Sequence, residues 1–453
     1  MLPALTNSQT NMKKFIPIRK SLPTFFSLSF FALLLNGALK AQTWSDLGSG
    51  MNKKNGQVEA LTNYGGNLIA GGGFDTAGGI PVNNIAQWNG TSWDSLGSRV
   101  NNFVQALTVY NGNLIAGVFG GNGIEQWNGT SWSVLGSGLL GWVNTLTVYN
   151  GNLIAGGFFS LAGGNPVNNI AQWNGTSWSA LGKGANNEVC ALTVYNGNLI
   201  ACGEFDSAGG KPANFIAQWN GTSWSAIGSG MNGQVTALTN YNNNLIAGGT
   251  FFTAGGNSAY EIAQWNGTSW SAIGGGTDGS VTALVVCNSN LVAGGFFNTA
   301  GGNPVSDIAQ WNGTSWSAFG SGINKNVLAL TVYNSHIIAG GAFDTAGGKP
   351  AYFIAQWSSP SAVENLQEND QMMLAYPNPS SSIIHLGYSL PSGVDNATLV
   401  VTDISGRTVK TCTVGSTNNY LLLDTRQLAQ GEYFYFVHSE NYTSGANKFI
   451  ITR

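Results

Sequence analysis

Residues 234–273 read QVTALTNYNNNLIAGGTFFTAGGNSAYEIAQWNGTSWSAI, and this stretch decides the fold because close copies of it fill most of the chain. It divides into four short apolar segments: 235–241, 245–251, 261–265 and 268–273. Asn-Gly or a close relative separates the first two segments, and Asn-Gly separates the last two in six copies. Both residues tolerate the positive φ of a type I′ turn, so each copy is predicted to form two hairpins of antiparallel strands.

Tryptophan marks the period of the repeat. A Gln-Trp pair recurs at spacings of 39 residues and then 46 five times: Trp88, Trp127, Trp173, Trp219, Trp265, Trp311 and Trp357. A second Trp follows in Gly-Thr-Ser-Trp, with Trp44 in that role at the start of the array: Trp93, Trp132, Trp178, Trp224, Trp270 and Trp316. We expect these side chains to pack in the core, where burying each contributes about 1.5–3 kcal/mol, and not to form a ligand cage.

The two ends of the array distinguish a propeller from a solenoid. The array begins with a lone fourth segment, 44–47, and ends with a third segment, 353–357, that no Gly-Thr-Ser-Trp follows. The first segment therefore completes the last unit and removes both free edges, whereas a solenoid needs caps. The sequence predicts an all-β protein in which residues 42–357 form a seven-bladed β-propeller with N/C-terminal strand closure.

Hairpins such as VCALTVYNGNLIACG at residues 189–203, with the double glycine seen at Gly71-Gly72 and Gly156-Gly157, resemble the first two strands of Kelch-type propeller repeats. Gln-Trp and Ser-Trp stand where Kelch repeats carry Tyr and Trp. The resemblance covers Trp44 to Trp357. It implies a fold and not a function, because Kelch-like propellers have many functions.

The first 41 residues have the order of a secretory signal peptide. An apolar run from Phe25 to Leu35 leads to small residues, and we expect cleavage near Ala41. Four basic residues precede the run: Lys13, Lys14, Arg19 and Lys20. The run is too short for a stable membrane anchor, so we expect an exported protein with no transmembrane segment in its mature form.

The composition changes after Trp357. Residues 358–371 are polar and begin with Ser358-Ser359-Pro360, which is typical of a linker. From 372 to 453, strand-like runs alternate with turn residues, and this pattern predicts a small C-terminal β-sandwich.

The C-terminal segment carries four spaced motifs: Tyr376-Pro377-Asn378-Pro379, Asp403-Ile404-Ser405-Gly406, Gly431-Glu432-Tyr433 and the closing run from Lys448 to Arg453. In this order they resemble the type IX secretion system (Por) C-terminal sorting domain of Bacteroidota. The resemblance implies passage through the Sec pathway and recognition by the type IX machinery at the outer membrane. It also implies release, or attachment to surface lipopolysaccharide. An independent adhesion sandwich is the alternative.

Composition and motifs argue against several functions. Charged residues make up 8% of the chain and the net charge is −3, so nothing points to nucleic acid. The three His are scattered, at His336, His385 and His438. The loop position that could repeat a calcium ligand carries Phe252 in one copy, so we expect no metal and no cofactor. We expect no catalytic residues; the alternatives to a binding protein are a carbohydrate-active hydrolase or lyase and a purely structural surface protein.

The loops between second and third strands, and the connections between units, should share one face of a four-stranded meander. Unit two has lost seven residues there, at Val118–Gly123, and the next connection is unusually apolar. We predict a binding patch for an unknown protein or glycan at Leu139, Leu140 and Trp142, with local packing as the alternative.

A smaller expectation concerns modification of the loops. Asp75-Thr76-Ala77, Asp206-Ser207-Ala208 and Asp344-Thr345-Ala346 resemble an O-glycosylation motif of Bacteroidota, which makes Thr76, Ser207 and Thr345 candidate sites; ordinary Asx turns are the alternative.

The four cysteines are expected to be small buried residues: Cys190, Cys202, Cys287 and Cys412. A two-residue turn would pair residue 190 with 203, which disfavours a 190–202 disulfide.

Overall fold

A computed structural model describes residues 43–52, 56–97, 100, 102–358, 375–376, 378, 380–388, 390, 394–404, 406–416, 420–439, 442–444 and 446–452. The predicted signal peptide, nearly all of the predicted linker, and Pro377 and Pro379 of the sorting motif lie outside these residues. The described elements are all β-strands, as the sequence predicted.

Each repeat unit forms an antiparallel sheet with four main strands, and the described residues contain seven such sheets in a propeller-like series, of which that of the third unit has a fifth, short strand. The first strands are Gln57–Tyr64, Val104–Tyr110, Leu139–Tyr149, Val189–Tyr195, Val235–Tyr241, Val281–Cys287 and Val327–Tyr333. The second strands are Asn67–Gly73, Asn113–Val118, Asn152–Ala162, Asn198–Gly203, Asn244–Gly249, Asn290–Gly295 and His336–Gly341. The units are numbered one to seven in this order.

The third and fourth strands are shorter and carry the repeated tryptophans. The third strands are Ile85–Trp88, Ile124–Trp127, Ile170–Trp173, Ile216–Trp219, Ile262–Trp265, Ile308–Trp311 and Ile354–Ser358. The fourth strands of units one to six are Trp93–Ser95, Trp132–Val134, Trp178–Ala180, Trp224–Ala226, Trp270–Ala272 and Trp316–Ala318. The fourth strand of unit seven is Thr43–Asp46, which pairs with Ile354–Ser358 so that Trp44 lies opposite Trp357.

Short hairpins follow most second strands. Their two-residue strands are Thr76–Ala77 with Ile80–Pro81, Ser207–Ala208 with Lys211–Pro212, Thr253–Ala254 with Asn257–Ser258, Thr299–Ala300 with Asn303–Pro304, and Thr345–Ala346 with Lys349–Pro350. In unit three, Asn165–Pro166 pairs with the end of the long second strand. Met51–Asn52, in the connection that enters unit one, pairs with Thr76–Ala77. Connections and loops therefore meet on one face, as the meander topology predicted.

Neighbouring units contact each other through their first strands, each of which lies against the first and second strands of the preceding unit. Gly71 shows why the second strand needs small residues, because a Cβ added there would overlap Cγ1 of Val104. The same contact joins unit one to unit seven, where a Cβ at Gly340 would lie 2.5 Å from Cγ1 of Val58. Van der Waals contact requires about 3.5–4.0 Å, so glycine lets the sheets approach closely.

The Ser-Trp tryptophans link each unit to the one before it. The Nε1 of Trp178 donates a hydrogen bond of 3.1 Å to the carbonyl oxygen of Leu135, and Trp224 makes the same bond to Leu181 at 2.8 Å. Trp44 repeats this bond with Phe319 at 3.0 Å and is 1% exposed. These indoles fill the space between sheets while a backbone carbonyl satisfies the polar N–H, as buried Trp requires.

The two kinds of hairpin turn differ from each other. Between first and second strands both central residues have positive φ, as at Asn196 (47°) and Gly197 (76°), which confirms the type I′ prediction. The prediction was wrong between third and fourth strands, where the loop has four residues, Asn89 to Ser92 in unit one. Its Asn89 Oδ1 accepts hydrogen bonds from the backbone N–H groups of Thr91 and Ser92. The side chain thus replaces the backbone bond of a tighter turn.

Every first strand contains a β-bulge that the sequence did not reveal. In unit four the register passes from Val189–Gly203 to Ala191–Cys202, so Cys190 has no direct partner. The predicted pairing of residue 190 with 203 was therefore wrong, because the extra residue shifts the register. The seven bulged residues are Glu59, Gln105, Asn144, Cys190, Thr236, Thr282 and Leu328.

The C-terminal residues form two sheets around one hydrophobic core. The first sheet contains Ala375–Tyr376, Ile383–Gly387 and Tyr420–Asp424. The second contains Asn396–Asp403, Thr408–Gly415, Gly431–Ser439, Tyr442–Thr443 and Asn447–Ile451. Side chains of both sheets, such as Leu386 and Tyr435, are fully buried together, which is the arrangement of a small sandwich.

Candidate ligand-binding site

The ends of the first strands on the long-loop face form a repeated set of positions, which we call the rim. In each unit the rim consists of the residue before the buried Val of the first strand and the residue facing it on the second strand. The first-strand rim residues are Gln57, Phe103, Trp142, Glu188, Gln234, Ser280 and Asn326. The second-strand rim residues are Gly73, Phe119, Phe158, Glu204, Thr250, Phe296 and Ala342.

Units two and three place four aromatic residues on the rim, which we call the aromatic strip: Phe103, Phe119, Trp142 and Phe158. The rings of Phe119 and Trp142 are stacked at 4.5 Å with an angle of 18°, and Phe158 lies 5.7 Å from Trp142 on the other strand. The four side chains remain 45%, 42%, 38% and 49% exposed in that order. A contiguous exposed apolar patch of this kind is typical of a binding site.

The missing loop residues of unit two explain why this strip is uncovered. The second strand of unit two ends at Val118. The chain then returns through Gly120 and Gly123 to the third strand, without the short hairpin that follows the second strand in other units. The following connection becomes part of the 11-residue strand Leu139–Tyr149, and Trp142 forms a bridge with Phe119. Glycines with positive φ make this tight return possible, at 81° and 68°.

Of the three residues in the predicted patch, Leu140 and Trp142 are exposed to solvent and Leu139 is buried. Leu140 is 59% exposed and Trp142 belongs to the aromatic strip. Leu139 corrects the prediction, because it is 2% exposed and packs in the core of units two and three. The expected loop is a strand in which Leu139 pairs with Ala162 and Leu140 with Leu161, so the two leucines point to opposite faces.

An acidic pair, Glu188 and Glu204, occupies the rim of unit four. The backbone N–H of Glu204 donates to the carbonyl oxygen of Glu188 at 3.0 Å, so the two residues face each other on adjacent strands. Amides of the neighbouring units contact them, with Asn144 donating to Glu188 and Gln234 donating to Glu204 at 3.0 Å. Like charges directly opposite each other destabilise a strand pair, so the amides offset an unfavourable arrangement.

The rim of each first strand lies beside the second-strand rim of the unit before it. Phe103 lies against Gly73, Trp142 stacks on Phe119, and Gln234 bonds Glu204. Units three and four are related in the same way, and Asn144 of unit three donates a hydrogen bond to Glu188. The aromatic strip and the acidic pair are therefore one continuous surface across units two to four.

Polar side chains form a second layer beneath the rim. The bulge turns Glu59 toward the amides of Gln57 and Gln105, which donate hydrogen bonds to it, and burial raises the pKa of Glu59. Cys190 lies below Glu188, and Gln234 Nε2 reaches its Sγ at 3.5 Å. Burial, together with the nearby Glu188 and Glu204, raises the pKa of Cys190 to about 12, so the thiol is a poor nucleophile.

Sequence reasoning missed five of the site residues: Phe103, Phe119, Phe158, Glu188 and Glu204. A comparison of the seven units at the rim positions would have shown two consecutive aromatic pairs followed by a pair of carboxylates. Phe119 keeps its place in the repeat, because it follows Asn113 by six residues, just as Phe158 follows Asn152 and Glu204 follows Asn198.

Two buried carboxyl groups lie away from the rim. Glu261 and Asp307 occupy equivalent positions before the third strands of units five and six, and both have positive φ, at 64° and 57°. Burial raises the pKa of Glu261 to about 7 and that of Asp307 to about 6. Neither belongs to a metal-binding cluster, since the described residues contain no group of three or more His, Cys, Asp or Glu that could hold an ion.

The candidate glycosylation residues take part in the short hairpins. Oγ1 of Thr76 is buried, which argues against its modification. The connection preceding Ser207 supplies Asn186, whose Oδ1 accepts from the N–H groups of Asp206 and Ser207. Asn324 makes the same bonds to Asp344 and Thr345. The backbone of the motif thus ties the hairpin loop to the connection that enters the same unit. Modification of Ser207 and Thr345 stays a prediction.

The described sorting-motif residues hold the C-terminal sandwich together. Asn378 accepts a hydrogen bond from the N–H of Ile450 at 2.9 Å and fastens the motif to the last strand. Asp403 and Gly406 form the turn before Thr408, with Gly406 at a φ of 81°. Lys448 pairs with Glu432, at 3.3 Å, beside Gly431.

Residues 374–452 match the secretion system C-terminal sorting domain family. This domain indicates export by type IX secretion to the cell surface or the extracellular space. The prediction made from the four C-terminal motifs is thereby confirmed. Among the described residues, no helix has the length and apolar character that a membrane crossing requires.

Comparison with solved structures gives matches that share little sequence with this chain and have TM-scores below 0.5. A computationally designed protein, Ika8, has a TM-score of 0.44 at 14% identity, with 68% of this chain and 98% of that chain covered. The extracellular domain of a putative one-component system from B. thetaiotaomicron has a TM-score of 0.45 at 11% identity, with 91% and 58% covered. An α-L-arabinofuranosidase from Clostridium thermocellum has a TM-score of 0.26 at 14% identity, with 48% and 92% covered. No curated protein matches the sequence.

Proposed function

We propose that this chain is an exported binding protein in which a closed, seven-bladed, Kelch-like β-propeller presents the aromatic strip to a ligand. Three repeated contacts support the closed ring, because each recurs between unit seven and unit one. These are the Val–Gly contact of Val58 with Gly340, the indole bond of Trp93 to Leu47 at 2.7 Å, and the Tyr333 hydroxyl bond to Gly66 at 3.3 Å.

The observation that carries the binding function is the exposure of Trp142 between Phe119 and Phe158. The other 14 Trp belong to the repeat, and those of the fourth strands donate to backbone carbonyls between units. Trp142 lies outside this pattern and is 38% exposed. Large aromatics that remain exposed on a rigid scaffold are typical anchors for a partner.

An enzyme that acts on carbohydrate is the second candidate, and the acidic pair is the observation that favours it. A glycosidase needs one protonated and one ionised carboxyl group. Here the two carboxyl groups have matching surroundings, because each accepts one hydrogen bond from a neighbouring amide, Glu188 from Asn144 and Glu204 from Gln234. The two catalytic roles require different surroundings for the two groups. We therefore place binding ahead of hydrolysis. Release of reducing ends from a polysaccharide, abolished by Glu204→Gln, would reverse this order.

Adsorption of the exported protein to immobilised cell-surface extracts and polysaccharides tests the binding function. Trp142→Ala should lose adsorption while its urea unfolding midpoint stays close to that of the wild type. Phe252→Ala is the matched control, because Phe252 is 58% exposed but lies in the hairpin loop of unit five, outside the strip. Retained adsorption of Trp142→Ala would contradict the function, and a large fall in its midpoint would make Trp142 a core residue. Failure of the wild type to adsorb to any surface would favour a purely structural role.

A further inference from the structure

The rim of units two to four combines exposed aromatic rings with a pair of carboxylates, and this combination has the chemistry of one ligand class. Given the proposed binding function, on which this inference rests, we propose that the surface binds a neutral polysaccharide. The aromatic strip contacts the C–H faces of successive sugars, and the acidic pair accepts hydrogen bonds from their hydroxyl groups.

The aromatic strip provides the apolar half of such a site. Its four rings follow one another across two units, so an extended chain can contact several of them at once. The C–H bonds on the face of a pyranose are weakly positive, and an aromatic ring presents a negative face to them. Trp142 packs between Phe119 and Phe158, and these contacts restrict its side chain before a ligand arrives, so less side-chain entropy is lost on binding.

The acidic pair provides the polar half at the end of the strip. A carboxylate accepts hydrogen bonds through two oxygens, which suits the two adjacent hydroxyl groups of a sugar. Glu188 and Glu204 each receive one amide bond, from Asn144 and Gln234. Each carboxylate therefore keeps acceptor capacity for a ligand. Hydroxyl donors from a sugar would also lessen the repulsion between the two facing charges.

The charges on the rim favour binding of neutral glycans over binding of anionic ones. None of the fourteen rim residues is Lys, Arg or His, so nothing on the rim can pair with the carboxylate of a uronic acid or with a sulfate. The acidic pair would repel such groups. A protein partner would bring charged side chains to its interface edge, and the rim offers them only the two carboxylates. The observations favour an uncharged glycan over both alternatives.

Isothermal titration of the full exported chain with defined hexasaccharides tests the proposal. The probes are the neutral β-glucan, mannan, xylan and chitin hexamers, with hexagalacturonate as the anionic probe. We expect binding to at least one neutral hexamer and none to hexagalacturonate at the same concentration. Trp142→Ala should weaken neutral binding at least tenfold, and the double substitution Glu188→Gln and Glu204→Gln at least fivefold, while Phe252→Ala leaves it unchanged.

Three results would overturn the proposal: tighter binding of hexagalacturonate than of any neutral hexamer, no binding of any neutral hexamer, or neutral binding that neither the Trp142 nor the Glu variant alters. The wider binding function has a separate readout. If no saccharide binds but adsorption of the protein to cell-surface protein still depends on Trp142, the glycan proposal fails and the binding function stands.

Discussion

Trp44 and Trp357 lie directly opposite each other in the sheet of unit seven, with ring centroids 5.3 Å apart. One residue begins the repeat array and the other ends it, so this contact joins the two ends of the array. Trp44 also bonds through Nε1 to Phe319 of unit six. The N-terminal strand is therefore part of the last sheet and of its contact with the preceding unit.

Trp44→Ala should destabilise the protein by about 3–5 kcal/mol, because the substitution empties a fully buried site and removes an inter-unit bond. Urea unfolding followed by tryptophan fluorescence measures the loss. Trp178→Ala is the matched control, since Trp178 is 3% exposed and makes the same bond within the array. A loss below about 1 kcal/mol for Trp44→Ala, beside a large loss for Trp178→Ala, would mean that the N-terminal strand Thr43–Asp46 contributes little to the stability of the last sheet.

Gly340→Ala should destabilise by about 1–3 kcal/mol, because the added methyl group would overlap Val58 of unit one. The substitution Val58→Ala should relieve this overlap. The double variant should then be more stable than the sum of the single effects, by about 0.5–3 kcal/mol. Strictly additive effects would argue against contact between units seven and one. Gly71→Ala with Val104→Ala gives the same cycle inside the array, where the contact does not depend on closure.

Stability should fall as the pH rises from about 4 to about 7, and Asp307 and Glu261 are the predicted cause. Burial raises the pKa of Asp307 from 3.8 to about 6 and that of Glu261 from 4.5 to about 7. In this window the folded protein keeps protons that the unfolded chain releases, so unfolding becomes easier as the pH rises. The loss is complete above the folded-state pKa values.

Asp307→Asn combined with Glu261→Gln should flatten this dependence and raise the urea midpoint at pH 7.5 relative to the wild type. Asn is already present at the equivalent position in unit three, where Asn169 accepts from the N–H of Phe159 as Asp307 accepts from that of Phe297. Asp94→Asn, at an exposed carboxylate, is the control. An unchanged slope in the double variant would contradict the assignment.

The thiols of Cys190 and Cys202 should resist alkylation in the folded protein. Burial raises the pKa of Cys190 to about 12 and the pKa of Cys202 well above its ordinary value, so almost no thiolate exists at pH 8. Iodoacetamide at pH 8, followed by peptide mass spectrometry, should leave both unmodified in buffer and modify both in urea. All four cysteines are free thiols. A disulfide between Cys190 and Cys202 in the exported protein would contradict this result.

Much of the architecture could be predicted because it depends on local and repeated signals. The period of the Trp pairs, the type I′ turns between first and second strands, and the complementary segments at the array ends all follow from residue type and spacing. The strand Val235–Tyr241 was predicted to the residue, since apolar alternation and a turn define both its ends. The bulge beside Val235 could not be predicted, because an extra residue on one strand leaves no mark in composition.

The candidate site was predicted less well, for a different reason. The missing loop residues pointed to unit two and to Trp142, which has a place in the site. Leu139 was misassigned because the connection continues as a strand, and a change of one residue in register reverses which side chain faces the core. The other aromatic residues of the strip and the acidic pair were overlooked. Glu188 and Glu204 face each other within unit four, but their place next to the aromatic strip depends on the packing of one unit against the next.

The sequence alone determined that this chain is an all-β repeat protein with a C-terminal sorting domain, because turn chemistry, period and motif order are local properties. The tertiary structure decided which residues share the rim. Packing one sheet against the next, through glycines too small to hold the sheets apart, places the ends of first strands side by side. That packing brings the aromatic strip and the acidic pair together on one surface.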